Sequence, residues 1–247
     1  MALLVPPRRP SRELLDDPDL APEEMARSLR DLEYVNRRWG GSGALARYLV
    51  PRMRESGRSS FTLLDVGAGS GVTSSALAAS LHRAGFHVRV LAVDLQWRHL
   101  ASGRHRSLDR ASALAADAFR LPFSDGAADW TVSTLFFHHF SPDENVQLLR
   151  EFARVARRGF VLLDLRRHLF PLLFVSLAGR LAFESHASVH DGPASVRQAY
   201  TRAEAEQITE RAIPGSRVTP VFPYRLLISG PEDSLLAPEP SSSRPRP

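Results

Sequence analysis

Three groups of residues carry the chemistry that this sequence can support. The first is Asp65 followed by Gly67, Ala68, Gly69 and Gly71. Glycines there remove the Cβ atoms that would hold backbone amides away from a ligand, and a helix that follows turns its positive end toward the loop. The second is Asp94, the acid that ends the apolar run Val88 to Val93. A carboxylate at the tip of a second strand is placed to accept both hydroxyls of a ribose. The third is the pair His138–His139 in Phe136-Phe137-His138-His139-Phe140, just after the run Asp129 to Leu135. Imidazoles there suit proton transfer at the carboxyl-end rim of a parallel sheet, where ligands of such folds bind.

These residues need a strand, a tight loop and a helix in that order. Leu63 to Val66 reads as the strand and Ser74 to Leu81 as the helix. The spacing departs from a dinucleotide fingerprint, because Val72 stands where the third glycine belongs. Asp65 argues the same way, since a carboxylate repels a pyrophosphate but suits an ammonium. Further strands are expected at Val88–Val93, Asp129–Leu135, Phe160–Leu165, Arg217–Val221 and Tyr224–Ser229. Helices are expected over 72–84, 142–157 and 201–212, the second and third opening on the capping patterns Ser141-Pro142-Asp143-Glu144 and Thr201-Arg202-Ala203-Glu204. The alternation predicts an α/β fold with a mostly parallel, doubly wound sheet.

Taken together, Asp65 with the glycine loop, Asp94, Asp117-Ala118 and the strand 129–135 resemble the class I S-adenosylmethionine-dependent methyltransferases. Within that class they are similar to the small-molecule branch that includes ubiquinone and menaquinone methylases, over about positions 58 to 165. The resemblance implies a Rossmann-like, seven-stranded sheet and S-adenosyl-L-methionine as cofactor, with S-adenosyl-L-homocysteine as product. It implies that Gly67, Ala68 and Gly69 approach the methionine end, with Asp65 on the ammonium side, and that Asp94 and Leu95 sit at the ribose. It also implies that Asp117 and Ala118 meet the adenine and that Thr134 completes the cofactor site. Among candidate bases His139 is favoured, with His186, His190 and Asp191 behind it; a positioning role for His139 stands beside the catalytic one.

The elements around this core complete the reading. Residues 1–10 are rich in Pro and Arg and are expected to be disordered, as are 231–247. Residues 11–57 are expected to form a helical lid, its apolar stripe being Met25, Leu29, Leu32 and Val35 and its hinge the glycines at 40, 41 and 43. The core is expected over 58–230. An acceptor-site insertion over 166–200 opens with the apolar run Leu169 to Ala178 and continues as an irregular stretch to Tyr200. That run is too short to span a bilayer, and it packs on the sheet, caps an apolar pocket or touches a membrane surface.

Composition removes several classes of function. The 247 residues include no cysteine, which excludes disulfides, thiol nucleophiles and cysteine-ligated metals. All 32 basic residues are arginine, so a Schiff base, a pyridoxal phosphate enzyme and a lysine-bearing phosphate loop are excluded as well. The net charge of +5 and a pI near 10.5 invite a nucleic-acid reading, yet the arginines are dispersed rather than gathered with aromatics on one face. No metal is expected, because Asp164 has no neighbouring Asp-Asn pair. The Asn/Asp-Pro-Pro-aromatic motif of DNA amino methylation is also missing. With no signal peptide or spanning segment in view, a cytoplasmic protein is expected.

The function expected is therefore methyl transfer to a small, largely apolar acceptor, aromatic, polyketide- or quinone-like, on oxygen more than on carbon. Peripheral membrane contact is expected only for a lipidic acceptor. Two alternatives stand beside it: a non-catalytic cofactor-binding or scaffold protein on the same fold, and an RNA or protein methyltransferase.

Overall fold

The computed structural model describes residues 4–39, 41–107 and 111–230. Seven strands form one sheet in the order β3-β2-β1-β4-β5-β7-β6. They are β1 (Ser60–Val66), β2 (His87–Asp94), β3 (Ala111–Ala115), β4 (Trp130–Thr134), β5 (Phe160–Leu165), β6 (Arg217–Val221) and β7 (Arg225–Ser229). Strands β1 to β5 run parallel, whereas β7 runs antiparallel to both β5 and β6. The strand order reverses between β1 and β4, and this switch point is where a doubly wound sheet opens a crevice at its carboxyl ends. The expected α/β, mostly parallel, seven-stranded, Rossmann-like sheet is what the chain forms.

Eight α-helices accompany the sheet among the described residues: α1 (Pro22–Arg38), α2 (Gly41–Glu55), α3 (Val72–Arg83), α4 (Trp97–Ser107), α5 (Pro142–Val155), α6 (Leu169–Ala182), α7 (His186–Gln198) and α8 (Arg202–Ala212). Alternating side chains send the central strands into two cores. Leu63, Val132, Val161 and Leu227 pack with α2 and α3, while Leu64, Val66, Leu162 and Ile228 pack with α5 and α8. Both capping boxes form as expected, Ser141 with Glu144 and Thr201 with Glu204. The capped start of α5 fixes the loop that carries the histidine pair, since Asn145 Nδ2 donates to the carbonyl of Phe137 at 2.9 Å.

The region before β1 differs from the expected uniform lid. Helix α2 contributes Ala44, Leu45, Leu49 and Met53 to the sheet's own core, so it is a covering layer of the fold. Only α1 and the segment before it lie over the crevice. Met25 and Leu29 of the stripe form a small separate cluster with Leu15. Of the expected hinge, Gly40 lies outside the described residues, as do residues 1–3 and the tail 231–247.

Residues 4–10, expected to be disordered, are held as a strap. The guanidinium of Arg8 donates from Nε to the Gln198 carbonyl at 2.7 Å and from Nη2 to the Phe140 carbonyl at 2.9 Å, and it stacks on the Tyr200 ring at 4.2 Å. One arginine thus supplies the contacts that a Pro-rich composition hides. The insertion also differs from expectation, since the stretch to Tyr200 is helical. Ser185 caps α7 by accepting from the Ser188 amide, and Gly192 lets α7 approach Val175 and Phe183 of the preceding hairpin. A Cβ there would come within 2.7 Å of Val175, so the glycine marks a helix crossing rather than a break.

Candidate active site

The crevice holds a cavity of about 1220 Å³ that runs from the glycine loop to the wall made by α1 and α6. At its polar end Gly67 and Gly69 adopt left-handed backbone angles, φ 70° and 56°. Gly67 can hold nothing else, because a Cβ there would lie 2.4 Å from the Phe136 ring. Gly69 turns its amide onto Asp94, donating to Oδ2 at 2.8 Å, while the Gln96 amide donates to Oδ1 at 2.9 Å. Asp94 is thereby oriented along the rim, and each oxygen keeps a lone pair for an incoming hydroxyl. A feature not read from the sequence supports the loop from behind. Gly103 of α4 brings its Cα against the Ser70 carbonyl, where a Cβ would sit 1.7 Å from the oxygen.

Gly67, Ala68, Gly69, Asp94, Leu95, Asp117, Ala118 and Thr134 all line this cavity. Asp117 is exposed and closes its own turn by accepting from the Phe119 amide at 2.9 Å, while Ala118 is buried beneath it. Asp65 is placed differently. It is buried below the loop and does not appear among the described lining residues; Ser74 Oγ donates to its Oδ2 at 2.5 Å, and Oδ1 has no partner among the described residues. Burial pushes its carboxyl up to about 7, Ser74 offsetting part of the rise and Asp94 adding to it. Through Ser74 it anchors the first turn of α3 below the loop, and it does not face the cavity as the ammonium-side role implied.

The donor set at this end fits S-adenosylmethionine. Asp94 can accept from a ribose, Asp117 can accept from an amino group on a base, and the loop amides lie at the positive end of α3. The far end is apolar. Leu32 and Trp39 from the first layer face Phe136, Phe140, Phe170 and Phe174, with Trp39 and Phe174 ring centroids 5.2 Å apart. Leu135 sits between the two ends at φ 55°, a left-handed conformation for a residue with a side chain, held by its amide's bond to the Leu163 carbonyl at 3.0 Å.

The histidine pair occupies the middle, and its two members differ sharply. His138 is buried; its Nδ1 lies 2.6 Å from Asp164 Oδ1 and its amide donates to Asp164 Oδ2 at 2.9 Å. Its Nε2 faces Glu13 Oε1 at 3.5 Å. Burial alone would lower the imidazole's pKa, but Asp164 and then Glu13 outweigh it and raise the group to about 10. Burial likewise pushes the Glu13 carboxyl up, and His139 and His138 overcome it, lowering it to about 2. At neutral pH this centre is an imidazolium between two carboxylates. His138 is therefore a structural cation and not a base.

His139 stacks on His138 with centroids 4.4 Å apart and turns toward the cavity, about a quarter exposed. Its Nε2 lies 3.9 Å from Glu13 Oε2 and its Nδ1 3.7 Å from Asp16 Oδ2. His186 and His190 are exposed on the outer side of α7, and the described cavity wall takes Gly192, Ser195 and Val196 from that helix instead. Helical periodicity explains this, for residues 186 and 190 share the face opposite 192, 195 and 196. Asp191 is buried and caps the strap, accepting from the amides of Leu14 and Leu15 at 2.9 and 3.0 Å.

Glu13, Asp164 and Arg225 were not singled out as site residues from the sequence. Glu13 lies between residues 4–10 and α1 and meets His138 beside Ser195 and Gln198 of α7; Gln198 Nε2 donates to Glu13 Oε1 at 2.7 Å. Glu13, His138 and His139 place their ligating atoms within 4.8 Å of one another.

Comparison with known proteins agrees with this geometry. The family described as a methyltransferase domain matches residues 63–159, from within β1 to the residue before β5. No curated protein matches the chain. Among solved structures, the complex between the Haloferax volcanii Trm112 methyltransferase activator and a methyltransferase aligns with TM-score 0.56 and 19% identity, over 89% of this chain and 98% of that one. The plantazolicin methyltransferase BamL, solved with a desmethyl plantazolicin analogue and S-adenosylhomocysteine, aligns with TM-score 0.56 and 14% identity over 80% and 77% of the two chains. Magnesium protoporphyrin IX methyltransferase from Synechocystis PCC 6803, with S-adenosylhomocysteine bound, gives 0.50 and 16% over 77% and 82%. Residues 63–159 thus match a methyltransferase domain, and the chain shares the fold of these S-adenosylmethionine-dependent enzymes.

Proposed function

We propose that the protein transfers a methyl group from S-adenosylmethionine to a small, largely apolar acceptor in the cytoplasm. The acceptor is an aromatic, polyketide- or quinone-like molecule, methylated on oxygen in preference to carbon, as in the ubiquinone-type branch. One observation carries this reading: a single cavity joins the glycine loop and Asp94 to an aromatic wall, and His139 stands between them. The structural neighbours act on acceptors unlike one another, so the acceptor class rests on that wall and not on them. For a lipidic acceptor, the outer face of α6 with Leu173, Leu177 and Leu181 exposed is the proposed site of peripheral membrane contact.

When bound, the cofactor supplies a methyl already activated on a sulfonium. The protein's work is to orient, to exclude water and to remove one proton. Gly67, Gly69, Asp94, Asp117 and Ala118 hold the donor, with Asp65 anchoring the loop from below. Leu32, Trp39 and the phenylalanines hold the acceptor ring, under a lid made of α1 and the strap. His139 is placed to accept the acceptor hydroxyl's proton, and Glu13 and Asp16 would stabilise the imidazolium that results. His138, already cationic, cannot compete for that proton.

The test is His139→Ala. Loss of a positioned general base should lower turnover on a phenol by about 10²–10⁴-fold while the affinity for S-adenosylhomocysteine stays within about twofold. If cofactor affinity falls instead and the saturated rate is normal, His139 positions the cofactor and the base assignment is wrong.

A further inference from the structure

Arg225 is a buried cation that methyl transfer, as outlined, does not use. It opens β7 opposite Leu165 at the carboxyl end of β5, is 1% exposed, and lines the cavity. Its Nη1 donates to Asn36 Oδ1 at 3.1 Å, whereas Nε and Nη2 have no hydrogen-bond partner among the described residues. Burial depresses the guanidinium to about 10, and the charge of Asp164 offsets only part of this. The Asp164 oxygens are already engaged by His138 and the Leu165 amide. A guanidinium keeps its proton, and a charge taken from water without a paired partner is unfavourable.

The two unpartnered donors are not scattered. Nε and Nη2 form the side edge of the guanidinium, whose parallel N–H bonds match the two oxygens of a planar carboxylate. We infer that Arg225 is a binding residue for the carboxylate of a ligand in this cavity. Two sources could supply that group. Asn36, which Arg225 holds, reaches Thr73 Oγ1 from its Nδ2 at 3.4 Å, in the first turn of α3 behind the glycine loop, the end proposed for the cofactor's methionine. The same cavity is lined by Trp39 and Phe174, the wall against which an aromatic acceptor bearing a carboxylate would rest. The inference rests on the proposed methyl transfer for what fills the cavity, and its test separates the two.

Binding is measured by calorimetry on the full chain, wild type and Arg225→Met, with two matched pairs of probes. One pair is S-adenosylhomocysteine and its decarboxylated analogue. The other is 1-naphthoate and 1-naphthol, added to protein saturated with S-adenosylhomocysteine. Arg225→Met should weaken the carboxylate member of one pair by about 10- to 100-fold and leave its partner unchanged, as loss of a charge-assisted, two-point hydrogen bond requires. Loss in the first pair assigns the fork to the cofactor, and loss in the second assigns it to the acceptor. Methionine removes an unpaired buried charge, so the ligand-free variant should melt no lower than wild type. Arg225→Lys, which keeps the charge and loses the edge, should give an intermediate loss and decides the matter if the methionine variant does not fold. Equal binding of both carboxylates by wild type and variants overturns the inference. A wild type that binds no S-adenosylhomocysteine contradicts the methyl-transfer reading instead, and the naphthoate pair, added to the ligand-free protein, then decides on Arg225.

Discussion

Glu13 Oε1 and His138 Nε2 face each other at 3.5 Å, joining the strap before α1 to the loop after β4. The pair makes the closure of the site depend on charge. His138 is raised to about 10 from an ordinary 6.5, so its contribution is complete below about 6.5 and is lost as pH rises through about 10. Glu13 is lowered to about 2 from 4.5, so its contribution is complete above about 4.5 and is lost as pH falls through about 2.

Glu13→Gln should therefore destabilise most between about pH 4.5 and 6.5, by about 3–5 kcal/mol for a buried ion pair broken at one partner. The deficit should shrink steadily as the pH approaches 10. Thermal unfolding of wild type and variant across that range is the measurement. A deficit that does not change with pH would show that the carboxylate acts by packing alone.

Asp94→Ala should weaken S-adenosylhomocysteine binding by about 1.5–3 kcal/mol, the loss expected if Asp94 accepts charge-assisted bonds from the ribose hydroxyls as proposed. The same change frees the Gly69 amide, so loop order should fall as well. Calorimetry with NAD as the control checks it. Tight NAD binding, with no response to the methyl donor, is the opposite result.

Gly103→Ala reverses the ordinary sign. In the interior of a helix such as α4 this change usually stabilises by about 0.5–1 kcal/mol. Here the new methyl would meet the Ser70 carbonyl, and backbone must move, so a loss of about 1–3 kcal/mol is expected together with weaker cofactor binding. Denaturant unfolding gives the sign directly, and a stabilised variant would show that α4 does not press on the loop.

Much of this was legible in the chain because it is local. The glycine loop, Asp94 at its strand tip and the two capping boxes each depend on residues within a few positions of one another. Strand alternation also announces which residues face which core. The insertion misled because His, Gly and Pro in 186–198 read as loop, while the reason they suit a helix is the neighbouring helix: Gly192 permits a crossing with α6, and Ser185 starts the turn. The catalytic neighbourhood was half legible. The histidine pair announced itself by position, but nothing local tells His138 from His139. That difference comes from Asp164, on the next strand, and from Glu13, which approaches from the start of the expected lid, more than 120 residues away in the sequence. Arg225 was invisible for a related reason. One arginine among 32 is distinguished only by what surrounds it, which tertiary structure alone decides.

The central claim is tested most directly by following a labelled methyl group from S-adenosylmethionine into a panel of phenols, naphthols and hydroxyquinones, with bulk RNA and protein as competing acceptors. The account predicts O-methyl ethers from at least one apolar aromatic acceptor, with product lost in Asp94→Ala and reduced about 10²–10⁴-fold in His139→Ala. Label that enters RNA or protein while every aromatic acceptor stays unmodified would contradict it, as would a protein that binds the cofactor and transfers nothing.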